Sequence, residues 1–130
     1  MKKQVISSRK APTAIGPYSQ AVSANGLVFV SGQLPLNAET GELAVGAEVQ
    51  AEQTLLNIRE ILSAAGLSMD NVVKCTIFLK NMEDFAVVNQ VYAAFFGRPC
   101  PARSCVEVAA LPKGALIEID AIAVVNGHAE

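Results

Sequence analysis

Histidine is almost missing from this chain of 130 residues: the single His128 lies two residues from the end, where it does not readily join a metal cluster or an imidazole-based triad. Acid–base work therefore falls to carboxylates, tyrosine or water. Cysteine is scarce as well. Cys75, Cys100 and Cys105 are an odd number without a C-x-x-C pair, which argues against a disulfide framework and a zinc site and reads as reduced thiols. Basic runs are lacking: apart from Lys2, Lys3, Arg9 and Lys10 the cations are scattered, and the formal charge is −2. That leaves no footprint for a polyanion, so nucleic acid is not an expected partner. No apolar run is long enough to span a bilayer, since the stretch from Ala115 to Val125 is broken by Glu118 and Asp120. The first ten residues carry the charges of a secretion signal without the apolar core of about 7–15 residues that follows them in one. The expectation is a cytoplasmic chain with no membrane partner. Low-complexity segments, linkers and internal repeats are also absent.

What is present is apolar. Hydrophobic residues make up 52% and charged ones 17%, a more apolar balance than an average soluble domain has. The length suits a single domain over 1–130, burying roughly two-thirds of its unfolded surface. With a membrane set aside, self-association is the natural sink for the surplus.

Val5 and Ile6 suggest a short first strand, closed by a loop in which Pro12, Gly16 and Pro17 restrict or punctuate the backbone. Residues 19–24 and 27–31 are joined by Asn25-Gly26, a strong hairpin signal because both residues tolerate positive φ. Between 47 and 65, Ala51, Leu55, Ile58, Leu62 and Ala65 recur at helical spacing, and Gly66 sits at the C-terminal cap position. From 72 to 80, Val73, Cys75, Ile77 and Leu79 alternate with Lys74, Thr76 and Lys80 as in a strand. Phe85, Val88, Tyr92 and Phe95 mark a second helix, stopped by Gly97 and Pro99. Two strands follow, about 103–108 and 115–125, separated by Leu-Pro-Lys-Gly. In the last, Ile117, Ile119, Ala121, Ala123 and Val125 form a wholly apolar face that should meet the helices.

This order gives a mixed sheet in an α+β fold, and right-handed crossovers put both helices on one face. The other face has no cover within the chain. It still carries Phe29 or Val28, Phe78 and Ile122, so a closed ring of identical subunits is the natural way to bury it.

Chemistry points to the last third. Arg103, Cys105 and Glu107 share one parity, and a turn at 111–114 sets Cys105 opposite Asp120 and Glu107 opposite Glu118. On that register Arg103, Glu118 and Asp120 line the open face together. Two readings stay open: an ion-pair network at a subunit interface, or a guanidinium fork held ready for a ligand carboxylate. Cys105 as a nucleophile lacks a base to make thiolate, and otherwise reads as a small apolar wall residue. Tyr18, after Gly16-Pro17, suits either a pocket cap or surface packing. Ser31-Gly32 ends a strand, where backbone amides can bind a ligand oxygen. Asn89 alone reads as solvent-facing.

Four segments go further. Ile-Gly-Pro-Tyr-Ser-Gln-Ala at 15–21, Val-Ser-Gly-Gln-Leu-Pro at 30–35, Pro-Ala-Arg-Ser-Cys-Val-Glu-Val at 101–108, and Leu-Pro-Lys-Gly with Ile-Glu-Ile-Asp-Ala-Ile-Ala within 111–123 closely resemble the hallmark segments of the RidA (YjgF-type) family. The similarity spans nearly the whole chain in the expected order. It implies a chorismate-mutase-like fold, a homotrimer whose sheets form a barrel, and clefts between adjacent subunits. It also implies hydrolysis of 2-iminopropanoate and 2-iminobutanoate to 2-oxo acids and ammonia, with no cofactor and no metal. Carried over residue by residue, Arg103 pairs with the substrate carboxylate, Glu118 positions or activates the attacking water, and Cys105 contributes backbone contacts. Tyr18, Ser31, Gly32 and Asn89 match other cleft positions. Two alternatives stand beside this. One is a non-catalytic trimer that binds or senses small carboxylates. The other is the endoribonuclease or translation-inhibitor role attached to some family members, which the acidic charge does not favour.

Overall fold

The computed structural model describes residues 2–125; His128 lies outside them. Six strands form one mixed sheet in the order β1-β2-β3-β6-β4-β5. The elements are β1 (Gln4–Ile6), β2 (Ala21–Ala24), β3 (Leu27–Gln33), α1 (Ala47–Ala64), β4 (Val72–Leu79), α2 (Phe85–Ala93), β5 (Ala102–Glu107) and β6 (Ile117–Val124). The Asn25-Gly26 turn forms as its chemistry requires, with φ of 52° and 77° at the two residues. It pairs Ala24 with Leu27 and fixes the register back to Ala21 with Val30.

β6 runs antiparallel to both β3 and β4, so these two neighbours are parallel to each other. α1 is the crossover between them, and α2 is the crossover between β4 and β5, which pair in parallel. The two helices pack on each other and on one face of the sheet. Alternation explains the core. Ile117, Ile119, Ala121 and Ala123 of β6, with Cys75, Ile77 and Leu79 of β4, are each at most 1% exposed beneath Leu55, Ile58, Ile61 and Leu62 of α1. The periodicities of both helices hold, although α2 stops at Ala93 and leaves Phe95 in the following turn, still packed against the core.

One expectation fails here. β5 and β6 do not pair: β5 takes the outer edge beside β4, setting Arg103 opposite Cys75 and Cys105 opposite Ile77. The α2 crossover returns the chain in the direction of β4, which allows only a parallel pairing. β6, apolar at every second position, fills the central slot where both of its edges are hydrogen-bonded.

The face away from the helices is uncovered in the single chain. Phe29, rather than the buried Val28, lies on it and is 41% exposed, with Val106 of the edge strand at 42%. No helix among the described residues is long and apolar enough to cross a membrane.

Ile58 is fully buried at the contact between α1 and the sheet. Ile58→Ala is expected to lower unfolding free energy by roughly 2–5 kcal/mol, through lost transfer energy and an unfilled cavity. Urea denaturation checks this, and a loss under about 1 kcal/mol would contradict the packing described.

Candidate active site

The residues singled out by sequence fall into two groups on opposite faces of the sheet. The first surrounds Arg103 at the β5 edge, on the helix side. Its Nη1 donates to Asn89 Oδ1 at 2.7 Å, and its guanidinium carbon lies 5.5 Å and 5.0 Å from the ring centroids of Phe85 and Tyr92. Phe85, Asn89 and Tyr92 are spaced four and three apart, so one stripe of α2 holds the guanidinium flat against two rings and one amide. Asn89 is thus a partner of Arg103 and not a solvent-facing residue. Cys105 is half-buried two residues on. Burial pushes its thiol up, and the opposing pull of Arg103 is the smaller effect, so the sulfur stays protonated and unsuited to nucleophilic attack.

The second group lies across the sheet. Glu118, opposite Phe78 of β4, points to the uncovered face. The register between β3 and β6 slips between Val30 and Gln33, and this bulge brings the backbone at Gly32 against the Glu118 carboxylate. A Cβ on Gly32 would overlap that carboxylate, so a larger residue there would force the Glu118 side chain to move. Ser31 is held beside it: its Oγ donates to the Ser19 carbonyl at 2.7 Å and its N–H to the Gln20 carbonyl at 2.9 Å. Tyr18, Gly32 and Glu118 line a pocket of about 460 Å³ whose other walls include Ile15, Leu34 and Pro112. Burial pushes the Glu118 acid above the usual carboxylate range, and the nearby charge of Asp120 adds to the rise. Asp120 itself accepts from the Thr76 N–H at 3.2 Å through Oδ1.

Arg103 therefore does not share a face with Glu118 and Asp120, contrary to the register expected from sequence. β4 stands between their strands, and the side chains point to opposite sides. An ion pair between Arg103 and either carboxylate within one chain is excluded by this placement. Among the described residues, no three histidine, cysteine, aspartate or glutamate side chains gather as a metal site needs. The sequence reading missed Phe85 and Tyr92 as the platform of Arg103, although their helical spacing with Asn89 was there to be seen. It also did not single out Gln20, Gln33 and Lys113, which line the pocket, although each lies within one of the four family segments.

The model of the endoribonuclease L-PSP family matches residues 8–125. The chain belongs to the RidA family. A mouse protein named 2-iminobutanoate/2-iminopropanoate deaminase is 50% identical over 94% of this chain and 91% of its own length. The Escherichia coli protein of the same name is 49% identical over 93% of this chain and 97% of its own. Family members also share the fold closely: the crystal structure of RidA from an Antarctic Psychrobacter is 48% identical, with a TM-score of 0.91 over 94% of this chain and 99% of that one. The four segments that carry the family resemblance supply Tyr18, Ser31, Gly32, Arg103, Cys105 and Glu118, while the α2 stripe that holds Arg103 lies outside them.

Site-resolved carboxyl NMR should find Glu118 titrating above an ordinary glutamate. Asp120→Asn keeps an acceptor for the Thr76 N–H but removes the like charge, so the Glu118 midpoint is expected to fall. A midpoint in the ordinary range, or one that ignores the substitution, contradicts the electrostatics given.

Proposed function

We propose that this chain is a hydrolytic deaminase of reactive 2-imino acids, taking 2-iminopropanoate and 2-iminobutanoate to 2-oxo acids and ammonia, in a homotrimer whose sites lie between subunits. The observation that carries this reading is the division of the site. A guanidinium fork with free N–H groups sits at a bare sheet edge, and a desolvated carboxylate beside a pocket lies on the other face. Neither half suffices alone. A second copy presenting its Arg103 edge to the Glu118 pocket supplies both, and in the same step covers Phe29 and Val106.

The chemistry asks for little more. Arg103 takes the substrate carboxylate bidentately, with Asn89, Phe85 and Tyr92 holding its plane, and the Cys105 backbone adds a contact. Tyr18, Ser31 and Gly32 frame the C=N group from the other subunit. Glu118 accepts a proton from water as the water oxygen bonds to the imine carbon, and the C=N π electrons move to nitrogen. The resulting carbinolamine gives up ammonia as its hydroxyl becomes the 2-oxo group. A protonated imine is already electrophilic, so orientation and one proton acceptor are enough. A raised pKa suits Glu118 to hold that proton and return it to the departing nitrogen.

Arg103→Ala is expected to lower kcat/KM for 2-iminopropanoate by roughly a hundredfold or more, because two charge-assisted hydrogen bonds of about 1.5–3 kcal/mol each are lost. Arg103→Lys should restore only part, a point charge being a poor copy of the fork. An intact assembly with near-normal ammonia release in the alanine variant would remove Arg103 from the site. Cys105→Ala should keep most activity, as its contribution is made by the backbone; lost turnover in an intact assembly would show a role for the thiol. Light scattering should give three times the chain mass at micromolar concentration, and a stable monomer would contradict the shared site.

A further inference from the structure

α1 carries a polar stripe inside its buried face. Gln50, Thr54 and Asn57, spaced four and three apart, are only 3%, 0% and 1% exposed. Side-chain amides in such a place cost stability unless every polar atom is bonded, and aliphatic side chains would serve the packing equally well. The bonds that the two amides send out of the helix lead to one region, whereas the Thr54 hydroxyl is buried without a hydrogen-bond partner among the described residues. Asn57 Nδ2 donates to the carbonyls of Leu34 and Leu36, both at 3.0 Å, while its Oδ1 accepts from Gln53 Nε2 at 2.9 Å. Gln50 Nε2 donates to the Ala44 carbonyl at 2.9 Å, and its Oε1 accepts from the Leu116 N–H at 2.8 Å. Leu34 and Leu36 form one wall of the pocket, and Pro112 and Lys113 form another. Leu116 joins that second wall to Glu118. The Ala44 strand of the loop is bridged back to the first wall through Leu36 and Leu43.

Both walls are thus tied to one helix by side-chain amides, with a further backbone bond from the Lys80 N–H to the Leu116 carbonyl at 2.9 Å on the second. We propose that Asn57 and Gln50 are positioning residues that set the width of the pocket beside Glu118, and through it the size of imine side chain the enzyme accepts. This rests on the deaminase reading above. The arrangement differs from ordinary satisfaction of buried carbonyls in one measurable way. If the amides only stabilise the fold, their loss reduces the amount of active protein and affects every substrate equally. If they set the separation of the walls, their loss changes how substrates rank.

The test compares ammonia release from 2-iminopropanoate and from 2-imino-4-methylpentanoate, each generated in the assay, by the wild-type protein and by the near-isosteric variants Asn57→Leu and Gln50→Met. The ratio of the two kcat/KM values is independent of the fraction folded. It is expected to shift by roughly fivefold or more, mostly through KM of the bulkier substrate, because a misfit of one methylene in an apolar pocket changes discrimination by about 10–200-fold. Leu36→Ala, which alters the wall directly, should move the ratio as well. Should Asn57→Leu fail to fold, Gln50→Met carries the same comparison from the other wall. A ratio within about twofold of wild type in a folded amide variant would overturn the proposal while leaving the deaminase reading intact. A wild-type protein that releases no ammonia from either substrate would overturn that reading, and this inference with it.

Discussion

The slot between β3 and β4 is the constraint on which the rest of the molecule depends. β6 fills it, hydrogen-bonded along both edges. One face of β6 is closed by α1, and its small residues Ala121 and Ala123 let the helix come close. The other face must then look outward, and it is there that Glu118 and Asp120 stand. With β6 in the centre, β5 has no place except the outer edge, and its alternation turns Arg103 to the helix side. The separation of cation from carboxylate is a consequence of strand order, and no property of the two side chains themselves brings it about.

Local features were readable without coordinates. Asn25-Gly26 named its hairpin, the spacing of Leu55, Ile58 and Leu62 named α1, and alternation named β4 and β6. These signals act within a few residues, so they survive in the linear sequence. The pairing of the last strands was misread because Leu-Pro-Lys-Gly resembles a hairpin connection, and nothing nearby in sequence tells β6 that its partners lie some forty and ninety residues earlier. The family segments identified which residues matter, yet their faces followed only from topology. The buried amides of α1 went unseen for a different reason: a search for apolar periodicity passes over a polar stripe that follows the same period.

Two kinds of rigidity hold the two groups of the candidate site. Arg103 is fixed by stacking on Phe85 and Tyr92, which restrains its plane while leaving N–H groups free. Glu118 lies against backbone at the bulge because Gly32 has no side chain in its way. The first device orients a charge at an exposed edge; the second desolvates one. The fold supplies the two from opposite sides of one sheet.

The central position of β6 also bears on how the molecule is made. During synthesis every other strand leaves the ribosome before it, as two separate pieces, β1-β2-β3 and β4-β5, with open edges facing one another across an empty gap. Neither piece can complete its hydrogen bonding, and α1 has no continuous surface to settle on, until residues 117–124 arrive. Most stabilising contacts are consequently distant in sequence, a pattern that slows folding and prolongs exposure of unpaired edges. The insertion of one eight-residue strand closes that gap.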